Sequence, residues 1–282
     1  MVLVDPFVLD FLKGKGIDVE KILEGYQKGK HRSPFIGQSI DYKDYRPYER
    51  GDELKFIDWR VFGRTERFYV RRFEEETNIR VYIVQDISAS MGVENKGDLA
   101  RKVSAVISYL SYLSRDAFGL FLFNSQEVYY LPPASKHHHL LKLYNILETF
   151  QDHGLTDFLG SITSLTYRIK KRSLIVVVSD FFFPVEDFEK FVKFFKGRGH
   201  ELLIIPLISR REFKVRDAGV FFKDAEKGFL LPADMGTIKE LEKGIVEHYE
   251  RLRDVCKRFG IRIFEFNVEE DFNFQLRKFF EG

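Results

Sequence analysis

Cysteine is all but missing from this chain: its 282 residues include one, Cys256. A disulfide within the chain is therefore excluded, and a lone thiol in a helical stretch fits a reducing cytoplasm. Long apolar runs are missing too. The longest, such as residues 202–208, have strand length and fall short of the roughly 18 apolar residues that mark a membrane helix. The segment from Met1 to Pro6 has no basic region and no signal-type apolar stretch, so no export signal is predicted from it. Net charge is nearly absent, with 45 Lys and Arg against 43 Asp and Glu. That balance gives the whole protein no electrostatic preference for nucleic acid or membrane. Three catalytic or nucleotide-binding patterns are also lacking: the Gly-x-x-x-x-Gly-Lys-Ser/Thr phosphate loop, Gly-x-Gly-x-x-Gly after a strand, and Gly-x-Ser-x-Gly.

What is present suits a large folded unit. Hydrophobic residues make up 44% and aromatics 16%, with 30 Phe and 13 Tyr, which favours aromatic packing over disorder. Charged residues rich in Lys, Arg and Glu reach 31%, a composition that leans towards a thermophilic source. Short helices are predicted at 7–12 and 19–26. Residues 36–78 are dense in charge and aromatics, and 28–72 hold twelve Lys and Arg against seven Asp and Glu. From Ile79 onward apolar strands alternate with amphipathic helices. Strands are predicted at 79–85, 117–124, 127–131, 173–179, 201–208 and 261–268. Helices are predicted at 97–115, 136–150, 157–170, 185–195, 237–259 and 272–280, and a hairpin at 219–231. Strands apolar on both faces and alternating with helices predict an α/β fold with a doubly wound, mostly parallel sheet. The organisation expected is an N-terminal adaptor of residues 1–78 followed by the α/β domain of 79–282.

The most informative run is Val81-Tyr82-Ile83-Val84-Gln85-Asp86-Ile87-Ser88-Ala89-Ser90. An apolar strand ends in one carboxylate and two hydroxyls at alternate positions, which an extended backbone places on one side. Small hard oxygen donors suit a hard divalent cation, Mg2+, Mn2+ or Ca2+. Thr156 follows a glycine turn that opens a helix, and Asp180 ends the apolar strand 173–179. Asp86, Ser88, Ser90, Thr156 and Asp180 resemble the metal-ion-dependent adhesion site of von Willebrand factor A domains, built from Asp-x-Ser-x-Ser, a distant Thr and a distant Asp. The competing account makes Asp86 and Ser88 a helix cap and lets Asp180 close a turn.

A second segment extends the resemblance. Tyr48-Glu49-Arg50-Gly51-Asp52, Ile57-Asp58-Trp59, Gly63-Arg64 and Phe73-Glu74-Glu75-Glu76 occur in order and are similar to the signature of a bacterial and archaeal family catalogued as domain of unknown function 58. Two departures stand out: Arg50 replaces the Pro usual before Gly, and Gly63 replaces the usual Ala before Arg. Neither touches the acidic motif. The family resemblance implies metal-dependent protein–protein recognition, with pairing to a MoxR-type AAA+ ATPase that matures or remodels another complex. It also implies one coordination position open to a carboxylate from a partner or client.

Within 36–78, Gly51 is expected to turn the chain, Trp59 to cover an edge or end of the sheet, and Asp58, Arg60 and Arg64 to form a polar network. Arg beside aromatics is also the composition of interface hot spots and of single-strand nucleic-acid platforms. Nucleic-acid binding through 28–72 is therefore the alternative function. His137, His138 and His139 are expected to form a solvated helix start, because consecutive helical residues diverge by about 100° and cannot converge on one ion. His153 is placed near the rim of the acidic motif. Phosphoryl transfer of the haloacid-dehalogenase kind needs a second acid where Ser88 stands, and no nucleophile–base pair is evident. A binding protein is expected, not an enzyme.

Overall fold

The computed structural model describes residues 12–14, 17, 45–48, 59–71, 79–209, 221–223, 230–232 and 235–281. The chain divides into two compact units, Ile36–Asn78 and the remainder. In the smaller unit, β1 (Tyr45–Pro47) pairs antiparallel with β2 (Tyr69–Arg71), and α1 (Trp59–Thr65) lies between them in sequence. Phe62 and Phe68 stack at 4.5 Å, with Trp59 edge-on to both and Tyr48 edge-on to Phe68. Trp59 packs on these rings and stays 61% exposed. Gly51, Asp52 and Asp58 lie outside the described residues, and with them the network expected of Asp58, Arg60 and Arg64.

The larger unit is built on a mostly parallel sheet of seven strands: β3 (Arg80–Asp86), β4 (Ala117–Phe123), β5 (Glu127–Ala134), β6 (Ser173–Ser179), β7 (Glu201–Ile208), β10 (Arg262–Ile263) and β11 (Phe266–Asn267). The spatial order is β10-β7-β6-β3-β4-β5, with β11 also on β7, and only β5 runs antiparallel to its neighbour. The doubly wound α/β sheet expected from the alternating pattern is the one observed. Between and after these strands come α2 (Lys96–Leu113), α3 (His137–Thr149), α4 (Phe158–Arg168), α5 (Val185–Gly197), α6 (Met235–Arg258) and α7 (Phe272–Glu281). No helix among the described residues is long and apolar enough to cross a membrane.

The strands are apolar on both faces because each face has its own core. Along β3, Val81 and Ile83 enter one cluster with α2, α3 and α7, while Tyr82 and Val84 enter the other with α4, α5 and α6. In α5 the stripe Val185, Phe188, Phe191, Val192 and Phe195 buries one face. Cutting a fully buried ring such as Phe188 back to Ala would cost about 3–5 kcal/mol.

Several expectations are corrected. Leu12 and Ile17, grouped in sequence with the adaptor, are buried in a core of the larger unit. The predicted helix 7–12 is described only from Leu12, and 19–26 lies outside the described residues. The strand expected over 261–268 is two short ones, broken at Phe264 and Glu265, where Glu265 turns to pair with Arg253 of α6. The hairpin is present as β8 (Phe221–Lys223) and β9 (Leu230–Pro232), its turn outside the described residues. His139 is not solvated: it is buried, and its Nε2 donates to the carbonyl of Phe118 at 2.8 Å. Burial accordingly holds its pKa below the ordinary histidine range.

β3 and β6 are neighbours whose onward connections leave in opposite directions, β3 towards β4 and β6 towards β7. Their carboxyl ends therefore flank a topological switch point, where ligands sit in open α/β sheets. Asp86 closes β3, and Asp180 follows the last residue of β6.

Candidate metal centre

Asp86 is fully buried, and both its carboxylate oxygens are engaged from the protein side. Oδ1 accepts the backbone N–H of Ser88 at 2.8 Å, a local turn that folds the chain back after the strand. Oδ2 accepts the hydroxyl of Ser179 at 2.7 Å, across from β6. Each oxygen keeps a further lone pair. The same turn brings the Ser88 and Ser90 hydroxyl oxygens to 3.1 Å from each other. A 3₁₀ segment, Ala89–Asn95, then carries the chain into α2.

Asp180 is equally buried, and its Oδ2 receives the ammonium of Lys96 at 2.7 Å. Its Oδ1 accepts the N–H of Phe182. The turn that follows is strained, with Phe181 in left-handed backbone at φ 59°. Two side chains of α6 hold it: the Tyr249 hydroxyl donates to the Asp180 carbonyl and His248 Nε2 to that of Phe181, both at 2.8 Å.

Thr156 is half-buried on a third loop. That loop is stitched to the Asp86 turn by backbone bonds, His153 N–H to the Ile87 carbonyl at 2.7 Å and Ala89 N–H to the Gly154 carbonyl at 2.9 Å. Gly154 makes this approach in left-handed backbone, φ 84°. Asn124 braces the loop by donating to the His153 carbonyl, and Asp157 caps α4 through Gly160 N–H. Asp152, paired with Arg101, packs so close to α2 that a β-carbon on Gly97 would sit 1.9 Å from its Oδ2. His153 is exposed and turned back on the carbonyl of Gln151.

The five candidate donors thus sit on three adjoining loops. Direct bonds join Asp86, Ser88 and Ser90, and the charge of Asp180 reaches Asp86. Burial first, and the Asp180 charge second, push the Asp86 carboxyl up to about 7, although the bonds from Ser88 and Ser179 oppose this. A buried acidic pair with one ammonium, bound to Asp180, is short of positive charge. The donor chemistry fits a hard cation: all five candidates offer oxygen, and the 3.1 Å between the serine hydroxyls is close to the about 3.0 Å edge of an octahedron with bonds of about 2.1 Å. Zinc-type chemistry lacks ligands, since no group of three or more His, Cys, Asp and Glu able to hold a metal occurs among the described residues.

Sequence reasoning did not select Lys96, Ser179, Tyr249 or His248. Lys96 carried one signal: a cation in the first turn opposes the helix dipole, which points to a carboxylate partner elsewhere. The cavity of about 520 Å³ at the opposite edge of the sheet, lined by Arg172, Lys196, His200 and Arg262, lies by the last turns of α5 and α6, where cations complement helix ends.

The family described as "Protein of unknown function DUF58" matches residues 44–253. The chain belongs to this family. The uncharacterized protein Rv1480 of Mycobacterium tuberculosis (strain ATCC 25618 / H37Rv) is 26% identical over 232 residues, which cover 79% of this chain and 73% of that protein. Among solved structures, the conserved hypothetical protein BatB from Bacteroides thetaiotaomicron is 16% identical, with 72% of this chain and 100% of that chain covered and a TM-score of 0.45. The SpRpn10 VWA domain is 10% identical, with 71% and 94% covered and a TM-score of 0.43.

Proposed function

We propose that this DUF58 protein is a metal-dependent protein–protein recognition module, and that Asp86, Ser88, Ser90, Thr156 and Asp180 hold a Mg2+ or Mn2+ ion directly or through water. The observation that carries this reading is the buried acidic pair at the switch point, with two serine hydroxyls set 3.1 Å apart beside it. When bound, the cation supplies an open position for a carboxylate from a partner. The protein's own residues do the rest. Ser179 and the Ser88 N–H orient Asp86. Tyr249 and His248 fix the turn after Asp180.

The surroundings favour a protein ligand. Each of the three loops exposes one large apolar side chain near its donors: Val93 (36% exposed), Leu155 (48%) and Phe182 (38%). An acidic residue flanked by apolar neighbours would match that rim. A MoxR-type AAA+ ATPase, with this chain as adaptor or co-chaperone, is the partner implied by the family resemblance. Nucleic-acid binding through 28–72 is the second reading, favoured by the exposed rings of Trp59 and Phe68 in that basic segment.

Calorimetry with Mn2+ on the purified chain tests the metal. Wild type should bind one ion weakly, and the Asp86→Ala, Ser88→Ala double variant should bind none. Equal uptake by both would sink the assignment.

A further inference from the structure

The cation already in this site belongs to the protein. Lys96 is fully buried, its ammonium lies 2.7 Å from Asp180 Oδ2, and the two side chains are 1% and 2% exposed. The ammonium also faces the ring of Phe182 at 5.3 Å. Considerable backbone strain puts it there. Glu94 and Asn95, the two residues before Lys96, are both in left-handed backbone, at φ 53° and 63°. Such positions disfavour ordinary side chains and persist only where the surroundings enforce them. They turn the chain so that α2 begins with Lys96 pointing back at Asp180, against the helix dipole.

We propose that Lys96 is a tethered cation that shares Asp180 with the metal, opposes metal binding on its own, and makes tight binding conditional on an incoming carboxylate. This rests on the metal reading above and assigns the site its regulation. The charge count is the reason. Asp86, Asp180 and Lys96 together carry a formal charge of minus one. A divalent ion brings the buried site to plus one, and a partner carboxylate brings it to zero. Without Lys96 the loaded site would be neutral, and a carboxylate would enter with no net attraction. Asp152 does not alter the count, because Arg101 already neutralises it. Unit charges a few ångströms apart in a buried site are weakly screened, so one ammonium bears directly on occupancy.

The test measures Mn2+ affinity by electron paramagnetic resonance for wild type, Lys96→Met and Lys96→Arg, with sodium acetate or with sodium chloride at equal ionic strength. Lys96→Met should bind Mn2+ ten-fold or more tightly in chloride and show no gain from acetate. Wild type and Lys96→Arg should bind weakly in chloride and several-fold more tightly in acetate. A purely structural ion pair predicts the opposite for Lys96→Met, an affinity equal to or below that of wild type, and that result overturns the proposal. If Lys96→Met unfolds in chelator, Mn2+ must restore it, since the metal then supplies the missing charge; a variant that stays unfolded in Mn2+ also overturns it. Binding by wild type without a gain in Lys96→Met leaves the metal site standing and removes only this role of Lys96. Failure of every form to bind Mn2+ removes both.

Discussion

The hydroxyl of Ser179 donates to Oδ2 of Asp86 at 2.7 Å and accepts the N–H of Phe181 at 2.9 Å. One small side chain therefore ties the end of β6 to the end of β3 and supports the strained turn beyond Asp180. Ser179→Ala removes a donor from a buried carboxylate and an acceptor from a buried amide. The expected loss is about 1–3 kcal/mol, by analogy with other buried groups left unpaired. Urea unfolding in chelator measures it. A loss too small to resolve would show that the two strand ends are held by packing alone.

Two buried carboxyls make stability depend on pH in an unusual direction. Burial and then Asp180 push Asp86 from 3.8 up to about 7, and burial does the same to Asp116, which accepts the Ile79 N–H at the start of β4. A carboxyl with a native pKa above its unfolded value contributes stability fully below about pH 4, and loses it as pH rises through about 7. Buried His139 and His200, whose pKa values are lowered by burial, act the other way. The useful reading is thus the difference between wild type and Asp116→Asn. In chelator, between about pH 5 and pH 8, the melting temperature of wild type should fall relative to that variant. Parallel melting curves would mean that Asp116 titrates in the native protein as it does in the unfolded chain.

How far the sequence went depends on the range of the interaction. The two-sided strands and the α5 stripe are local patterns repeated many times, so β3, β6, β7 and the helices between them were legible to within a residue or two. Asp86, Ser88 and Ser90 were legible because one turn suffices to bring them together. Lys96 was not, because its partner lies 84 residues away and only the fold joins them. His139 misled for a similar reason. Three consecutive histidines suggest a wet surface, yet the start of α3 turns one of them onto β4, where the Phe118 carbonyl needs a donor. The break at Phe264 and Glu265 is equally invisible locally, since the pattern of 261–268 runs on through it and the Phe264 N–H still donates to the Ile204 carbonyl of β7.

Partner binding should depend on the apolar rim separately from the metal. Val93 and Leu155 are exposed, and their hydrocarbon side chains carry no oxygen or nitrogen that could ligate a cation or hydrogen-bond the acidic turn. The ring of Phe182, by contrast, lies 5.3 Å from the Lys96 ammonium, so changing it would also alter the charged site. Apolar contacts around a central polar bond exclude water, and a metal–carboxylate bond gains strength as the local dielectric falls. Val93→Ser and Leu155→Ser should therefore each weaken capture of a MoxR-type ATPase in Mg2+ by about five-fold or more, a hot-spot loss of about 1 kcal/mol. Their Mn2+ affinity should match that of wild type, because every oxygen donor is kept. Asp86→Ala, by contrast, should abolish both metal uptake and capture. Surface-captured binding rates with and without chelator provide the comparison. If the two rim variants capture the ATPase as wild type does while Asp86→Ala fails, recognition runs through the metal without the rim. If they lose metal as well, Val93 and Leu155 hold the loops in place, and the docking face must be sought elsewhere on the protein.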